Sequence, residues 1–266
     1  MTTQLTAYIE GIGLLGPGLS DWQSGRAILA GQQAYQPAKT LIPVPELLPA
    51  AERRRASDIV KLTLATSLEA LATANQQDGN LPSVFSFSNG DGVNCHTICE
   101  MLASDDRQLS PTRFHNSVHN AAAGYWSIAT GNMATSSVLC AFDASFGAGL
   151  VDALTQVVID DTRCILMTSD TPYPFPMFNK RPISDNFGIA LVLAPHPGPQ
   201  AIARIQVSIC HEPADRLQDT GLETLRMAIP SARGLPLLQA IAMQQSRRLV
   251  LDYLDDTRLA IEVSPC

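Results

Sequence analysis

Between Ser136 and Leu150 an apolar run breaks into small residues and then enters a second apolar, helix-like segment. This pattern predicts a strand that passes through a tight turn directly into a helix. Such an elbow presents a side chain at a helix N-terminus, where the helix dipole lowers the pKa of a thiol or stabilises an oxyanion. Cys140 and Ser145 are the nucleophiles that the segment offers. The chemistry would be acyl transfer or hydrolysis, with His115 or His119 as the base.

The serine in this segment matches only part of a known nucleophile pattern. Ser145 is followed two residues later by Gly147, as in the G-x-S-x-G elbow of serine hydrolases, but Asp143 stands where the first glycine belongs. Capping of the following helix by Asp143 or Ser145 is therefore the simpler interpretation.

Two histidine and cysteine groups have spacings that metal sites use. His115 and His119 would share one helical face, and Cys95-His96 with Cys99-Glu100 forms a looser cluster. Neither group supplies a complete set of three or four ligands. Buried thiols and a histidine at a helix start explain them as well, so we expect no metal and no cofactor.

The glycines of Gly11-Ile12-Gly13-Leu14-Leu15-Gly16 match the G-x-G-x-x-G pattern of dinucleotide sites. In such sites a helix starts within the motif and an acidic residue about 20 positions on binds the ribose. Here the next helix is predicted to start near Ser20, and no Asp or Glu lies between Gln23 and Pro45. A tight glycine turn is the preferred interpretation, and a dinucleotide-binding oxidoreductase is the less favoured alternative.

The elements that would position these residues alternate along the chain. Apolar runs predict strands over residues 8–15, 83–88, 136–142, 164–168, 187–193, 202–209, 248–253 and 258–263. Helical spacing or capping residues predict helices over 20–30, from 57 or 58 onward, after 92, from 110, over 118–129 and over 145–158. Prolines make 31–56 and 171–182 loops with at most short local structure. Strands alternating with helices predict an α/β fold whose sheet is covered on both faces.

Composition narrows the class of protein. Only 16% of the 266 residues are charged, against about 25% in typical domains, so much of the surface is expected to be hidden. A net charge of −7 without a basic stripe argues against nucleic-acid binding. We expect no membrane span, because runs such as 189–195 fall short of the roughly 20 residues required. Six cysteines without a signal sequence indicate a cytoplasmic protein with free thiols.

Two parts of the chain resemble a known family. Tyr8-Ile9-Glu10-Gly11-Ile12-Gly13, with Gly16 and Trp22, resembles the opening of β-ketoacyl synthases. Phe114-His115-Asn116-Ser117-Val118-His119-Asn120-Ala121, with Gly124-Tyr125-Trp126, resembles the short synthase-like chain-length factors of aryl polyene gene clusters. The resemblance covers roughly residues 7–195 and is specific mainly over 110–150. It implies a thiolase-like α/β fold with layered helices and mixed five-stranded sheets. It also implies one domain, 1–266, with an N-terminal half over 1–195 and an abbreviated C-terminal half over 196–266.

The departures from the family pattern bear on activity. Working synthases of this family carry a motif close to Asp-Thr-Ala-Cys-Ser-Ser-Ser-Leu, whose cysteine takes the acyl chain. Aligned without a gap, Asp143 and Leu150 match its ends and the cysteine position falls on Phe146. A phenyl ring cannot form an acyl intermediate. The family's two C-terminal histidines also have no counterpart in the sequence around His196 or His211.

The resemblance therefore implies a non-catalytic subunit that pairs with a catalytic ketosynthase and helps to shape its acyl pocket. The strand before the elbow would lie at the subunit interface, and Phe146 would fill this chain's own inactive site. The implied interface and pocket residues are Phe114, His115, Asn116, Val138, Leu139, Cys140 and Phe142. Ordinary core packing explains the aromatic residues equally well. Acyl carrier protein would be reached through the complex, with its basic docking patch mostly on the partner and not at Arg53, Arg54 and Arg55.

Overall fold

The computed structural model describes residues 4–76 and 80–266. The strands are β1 (Leu5–Leu15), β2 (Ser83–Phe87), β3 (Ser136–Cys140), β4 (Cys164–Asp170), β5 (Phe187–Ala194), β6 (Ala203–Cys210), β7 (Arg247–Asp252) and β8 (Arg258–Pro265). The α-helices are α1 (Trp22–Leu29), α2 (Ala50–Arg55), α3 (Asp58–Thr73), α4 (Gly92–Ala103), α5 (Pro111–His115), α6 (Ala121–Thr130), α7 (Ser145–Ile159), α8 (Thr220–Ala228) and α9 (Leu235–Ala242). Strands and helices alternate through the first two thirds of the chain, as expected for an α/β fold.

All eight strands in the described residues belong to one mixed sheet, in the order β3-β2-β4-β5-β1-β6-β8-β7. Strand β2 is parallel to β3 and β4, and the other pairs are antiparallel. The long strand β1 pairs with β5 through residues 8–15 and with β6 through residues 5–9. The expected mixed sheet architecture is confirmed, but the strands form one eight-stranded sheet instead of five-stranded sheets. Strand β1 joins a five-stranded part to a three-stranded part, edge to edge.

The sheet is covered on both faces, as the buried strands predict. In β4, Cys164 and Leu166 belong to one apolar cluster, whereas Ile165 and Met167 belong to the other. This period of two follows from the pleat, which points successive side chains to opposite faces. Helix α7 packs on the first face and α3 on the second. The elbow that leads into α7 thus lies beside a sheet whose strands β2, β4 and β5 are buried throughout.

The first two glycines of the G-x-G-x-x-G motif, Gly11 and Gly13, lie within strand β1, so the expected tight glycine turn is wrong for them. A Cβ atom on Gly11 would lie 2.1 Å from the carbonyl oxygen of Ala70, and one on Gly13 would lie 1.8 Å from that of Thr66. These glycines therefore let helix α3 approach the strand closely. The turn begins only at Gly16, which pairs with Leu19.

The structure also changes several predicted boundaries. Strand β3 ends at Cys140 instead of residue 142, because the backbone bends at Phe142. Helices α8 and α9 were not predicted. Asp219 caps α8 by accepting from the N–H groups of Gly221 and Leu222, so a local signal was present. Helix α9 is apolar on nearly every side because it is buried, and such a helix lacks the amphipathic period.

One stretch of the described residues, Phe142–Ile159, has the length and hydropathy to cross a membrane, with 18 residues and a mean hydropathy of 1.3. The expectation that no segment reaches this length is therefore corrected. Phe146, Leu150, Leu154 and Val157 of this stretch are buried in the apolar cluster beneath the sheet. We therefore interpret it as a core helix.

Candidate functional site

The elbow between β3 and α7 contains an unusual backbone conformation. Phe142 has a φ of +51°, a left-handed conformation that is unusual for a bulky residue and that concentrates at functional sites. A single 3-10 turn over Phe142–Ala144 follows, and α7 begins at Ser145. The Phe142 side chain is 54% exposed. The elbow thus holds an aromatic ring at the surface at the N-terminal end of a helix.

Ser145 holds the elbow together and has no free hydroxyl. Its Oγ lies 2.7 Å from the carbonyl oxygen of Phe142 and 2.8 Å from that of Phe87, and it accepts the N–H of Ala141 at 3.2 Å. The residue is buried. Neither Ser145 nor Asp143 caps α7 with its side chain, so the expected capping role is wrong. The hydroxyl braces the bend instead.

Arginines from distant segments surround the elbow. The Arg181 guanidinium lies over the Phe142 ring, 5.5 Å from its centre, and pairs with Asp143. Arg233 pairs with the other oxygen of Asp143 at 3.4 Å and with Asp252 at 3.2 Å. Both arginine side chains are largely buried. The bend is therefore fixed by charge as well as by hydrogen bonds.

The ion-pair network continues beyond Asp252 into the C-terminal part of the chain. Arg226 donates a hydrogen bond of 2.6 Å to Asp252, and it donates two more, each of 2.8 Å, to the two carboxylate oxygens of Glu223. This two-pronged pair raises the pKa of Arg226 and lowers that of Glu223. The elbow is thus tied electrostatically to α8 and β7, and all of these charged partners follow it in sequence.

Phe146, the aligned nucleophile position, lies inside α7 and not at the bend. Its side chain is 1% exposed, and a Cβ on Gly234 would lie 2.3 Å from the ring. The ring therefore fills a space that only a glycine leaves open. Phe142 and Phe146 stand about one helical turn apart, one at the surface and one in the core.

Cys140 and His119 are brought into contact at the end of β3. The thiol sulfur lies 3.3 Å from Nδ1 of His119, whereas His115 is exposed on α5. Cys140 is exposed as a residue, but neighbouring groups partly desolvate its sulfur, and this desolvation together with the charge of Asp170 raises the pKa of the thiol. The thiol is thus less acidic than usual, which disfavours the thiolate that a nucleophile needs.

The predicted pocket residues at the C-terminal end of α5 point in different directions. Phe114 is 66% exposed, whereas the Asn116 side chain is buried. The Asn116 amide donates to the carbonyl oxygen of Arg55 at 3.1 Å and accepts the hydroxyl of Tyr125 at 3.3 Å. Asn116 therefore holds neighbouring segments together, and Phe114 and His115 are the members that face outward.

Strand β3 is an edge strand with an open side. Within the described ranges, 4–76 and 80–266, it pairs only with β2, and Val138 and Leu139 are half-buried. The opposite edge strand, β7, is covered, because Asp215 exchanges hydrogen bonds of 2.7 and 2.8 Å with the backbone of Val250. An open edge is a template for pairing with another chain.

The remaining candidate ligands and histidines do not converge. Within residues 4–76 and 80–266, no group of three or more His, Cys, Asp or Glu side chains is placed to hold a metal ion. His96 pairs with Glu100 at 3.2 Å on α4. His196 pairs with Asp161 at 2.9 Å, and His211 contacts the carbonyl oxygen of Asp256 at 3.2 Å. Neither of these last two histidines contacts the elbow.

Sequence reasoning missed Arg181 and Arg233. Each is separated from Asp143 by many residues, and neither belongs to a recognisable motif. Only the sheet brings their segments to the elbow. Asp143 itself was the local signal, because a carboxylate at the bend favours a cationic side chain beside it.

Comparison with known proteins identifies the family. Residues 22–252 match the sequence profile of the β-ketoacyl synthase N-terminal domain, while a search of curated proteins finds no match. A chain of the ketosynthase (ApeO) complex with its chain length factor (ApeC) from Xenorhabdus doucetiae is similar in fold, with a TM-score of 0.71 and 20% identity over 97% of this chain and 99% of that one. The ishigamide ketosynthase/chain length factor matches with a TM-score of 0.72 and 12% sequence identity, over 98% of this chain and 99% of that one. A third similar structure is the type II polyketide synthase complex AntDE:AntF, an acyl-carrier protein with its hexaketide-bound ketosynthase. Its TM-score is 0.73 and its sequence identity 10%, over 99% of this chain and 100% of that one. With a thiolase-like α/β fold and a profile match over most of its length, this chain belongs to the family of the β-ketoacyl synthase N-terminal domain.

Proposed function

We propose that this chain is a chain-length-factor-like subunit that has no condensing activity of its own. It pairs with a catalytic β-ketoacyl synthase and helps to shape the acyl pocket during aryl polyene or related polyketide-type biosynthesis. Two of the similar structures are complexes of a ketosynthase and a chain length factor, which supports this choice within the family.

One observation carries the proposal: the elbow holds phenylalanine at both positions where a nucleophile would be placed. Phe142 occupies the bend and Phe146 the aligned position. A phenyl group cannot form a thioester. The nearby Ser145 hydroxyl is committed to backbone oxygens, so it does not replace the missing cysteine.

We further propose that the partner covers the open edge of β3 and the exposed apolar residues near it. Phe142, Phe114 and Val118 are each more than half exposed, which is costly for a protein surface unless a partner removes them from water. Val138, Leu139 and Cys140 would lie along the covered edge, and Phe114 and His115 would reach the partner's acyl pocket. Hidden surface of this kind would also explain the low proportion of charged residues.

The remaining assignments follow from the same proposal. The complex works in the cytoplasm without a cofactor bound to this chain, and residues 1–266 act as one domain whose C-terminal half is abbreviated. An acyl carrier protein delivers the substrate to the complex, as an acyl-carrier protein occurs with its ketosynthase in a similar structure. The acidic net charge of −7 favours a docking patch on the partner.

Co-expression with the ketosynthase encoded beside this chain tests the proposal. We expect the two chains to co-elute on size exclusion, and chain elongation to require both of them. Elongation by this chain alone, or its elution as a monomer with no affinity for the ketosynthase, would contradict the proposal.

The thiol of Cys140 reports on the interface. Cys140 and Cys266 are both exposed in the isolated chain, so both should react with iodoacetamide. In the complex we expect alkylation of Cys140 to slow at least about tenfold, while Cys266 at the C-terminus serves as the internal control. Equal reactivity of Cys140 in the free chain and in the complex would place the interface elsewhere.

A second candidate function is acyl transfer or hydrolysis by Cys140 or Ser145. The 3.3 Å contact between Cys140 and His119 favours this candidate, because a thiol beside an imidazole is the arrangement of a nucleophile and its base. The raised pKa of Cys140 argues against it. Labelling of the isolated chain by an acyl-thioester or fluorophosphonate probe, lost in Cys140→Ala or Ser145→Ala, would establish the second candidate.

A further inference from the structure

A cavity of about 960 Å³ lies away from the elbow, where the start of α3 meets the starts of α4 and α5. The loops around residues 39–42 and 184–186 close its other sides. Its size is at the upper end of the range for small-molecule sites, about 300–1,000 Å³. Arg113 and Asn116 line it on either side of Phe114 and His115, so the cavity borders the proposed partner-facing surface.

The lining of the cavity is rich in basic side chains. Five of the chain's 18 lysines and arginines lie around it: Lys39, Arg54, Arg55, Lys61 and Arg113. For a chain with a net charge of −7, this is a local reversal of sign. A concave site whose lining has a net charge of one sign concentrates ligands of the opposite sign.

The carboxylates in the same cavity already have partners. Asp58 pairs with Lys61 at 3.3 Å. Asp91 accepts the N–H of Asn94 at 2.9 Å, where it caps α4. Asp185 accepts the N–H groups of Thr40 and Asn186. These three acids offset part of the basic charge, and the lining as a whole carries a formal net charge of +2.

Three of the cations are available to a ligand. Within residues 4–76 and 80–266, the side chains of Lys39, Arg54 and Arg113 form no ion pair or hydrogen bond. Two of them are guanidinium groups, which bind phosphate oxygens through paired N–H donors. Ile42, Ile59 and other apolar side chains add an apolar wall to the cavity.

We propose that this cavity is a binding site for an organic phosphate, a small molecule with a phosphate ester and an apolar part. The phosphate would lie between Arg54 and Arg113, with Lys39 adding charge, and the organic part would rest against the apolar wall. A small molecule fits better than the acidic surface of a protein, because the cations surround a concavity and do not form a flat or convex patch.

Titration calorimetry of the full chain with phenyl phosphate tests the site, with inorganic phosphate for comparison and KCl to match ionic strength. We expect saturable binding of phenyl phosphate that is tighter than that of inorganic phosphate. Arg54→Gln and Arg113→Gln should each weaken binding about tenfold, since each removes a charge-assisted hydrogen bond. Arg248→Gln is the matched control, because Arg248 pairs with Glu212 outside the cavity, and its affinity should stay at the wild-type value.

Several results would overturn the proposal. These are the absence of saturable phenyl phosphate binding, an equal loss of affinity in Arg248→Gln, or tighter binding of a hexaglutamate peptide than of phenyl phosphate. The last result would make the cavity a dock for an acidic protein. Thermal unfolding of each variant checks that it is folded, and Lys39→Gln replaces any arginine variant that is not. Because binding is measured on the chain alone, the outcome is independent of pairing with a ketosynthase.

Discussion

The guanidinium of Arg181 lies 5.5 Å from the centre of the Phe142 ring while pairing with Asp143, the next residue along the chain. One cation thus contacts both the side chain at the bend and the charge that follows it. A cation over an aromatic face contributes about 0.5–1 kcal/mol at exposed sites and more when desolvated. The elbow phenylalanine is therefore held in place by a residue from the loop that precedes β5.

Removal of the carboxylate that Arg181 and Arg233 share should destabilise the protein. We expect Asp143→Asn to lower the free energy of unfolding by about 1–2 kcal/mol, because the largely buried Arg181 loses the carboxylate it pairs with and Arg233 keeps only Asp252, while Asp143 itself is partly exposed. Urea unfolding measures the change. Glu212→Gln, which breaks the exposed pair with Arg248, is the control and should leave stability essentially unchanged. Equal effects of the two substitutions would mean that the network does not brace the elbow.

Cysteine substitution should distinguish the two phenylalanines of the elbow. We expect the thiol of Phe142→Cys to react with iodoacetamide at least about tenfold faster than that of Phe146→Cys. Phe142 is half exposed beside a helix N-terminus, which lowers a thiol's pKa, whereas Phe146 is buried.

The measurement needs a background with few other reactive thiols. Serine replaces the five cysteines that are not buried, namely Cys95, Cys99, Cys140, Cys210 and Cys266. The buried Cys164 is kept, and its pKa is raised to about 12 by burial, so it should stay unreactive. Faster labelling of Phe146→Cys than of Phe142→Cys would place the accessible position inside α7 instead of at the bend.

Phe146 and Gly234 should be energetically coupled. We expect Gly234→Ala to destabilise the fold by about 1–3 kcal/mol, because the new methyl group would lie 2.3 Å from a ring atom of Phe146. Combining it with Phe146→Leu should recover part of that loss, because the smaller side chain makes room. A double-mutant cycle by urea unfolding measures the coupling. Strict additivity would show that the ring and the glycine do not constrain each other.

Asp170 should make stability depend on pH. Its carboxylate accepts the N–H of Ser88 and that of Ser231, at 2.9 and 2.7 Å, but burial outweighs these bonds and raises the pKa above its ordinary value of 3.8. The folded state therefore binds this proton more tightly than the unfolded state does. The contribution of Asp170 to the free energy of unfolding is fully present below the pKa that this carboxyl has in the unfolded chain. It is lost as the pH rises through the higher pKa of the folded state.

Urea unfolding of wild type and Asp170→Asn at pH values from about 4 to 7.5 checks this sign. The difference in unfolding free energy, wild type minus variant, should fall as the pH rises. A difference that is constant, or that grows with pH, would contradict the raised pKa. Asp215→Asn is a useful comparison, because Asp215 contacts the edge strand β7 and not the buried end of β4.

Much of the fold could be predicted from local patterns. The strands that became β2, β4 and β5 were predicted from short apolar runs, and α7 from apolar residues four positions apart. Hydrogen bonds within a helix and the alternation of side chains along a strand depend on residues that are close in sequence. A local sequence pattern is therefore enough to predict these elements. The resemblance likewise rests on contiguous residues, and the profile match confirms the β-ketoacyl synthase family that it implied.

Features that depend on residues far apart in sequence required the tertiary structure. The glycines of β1 suggested a turn, yet their role is to admit the backbone of α3 at Ala70 and Thr66. The sequence of the elbow showed two phenylalanines without indicating that Phe142 faces outward and Phe146 inward. That difference arises because the bend follows β3 immediately, and the sheet buries only the face of α7 that carries Phe146. The arginines around Asp143 and the cations around the cavity come together for the same physical reason: packing of the sheet and its helices, and not chain proximity, sets which charges meet.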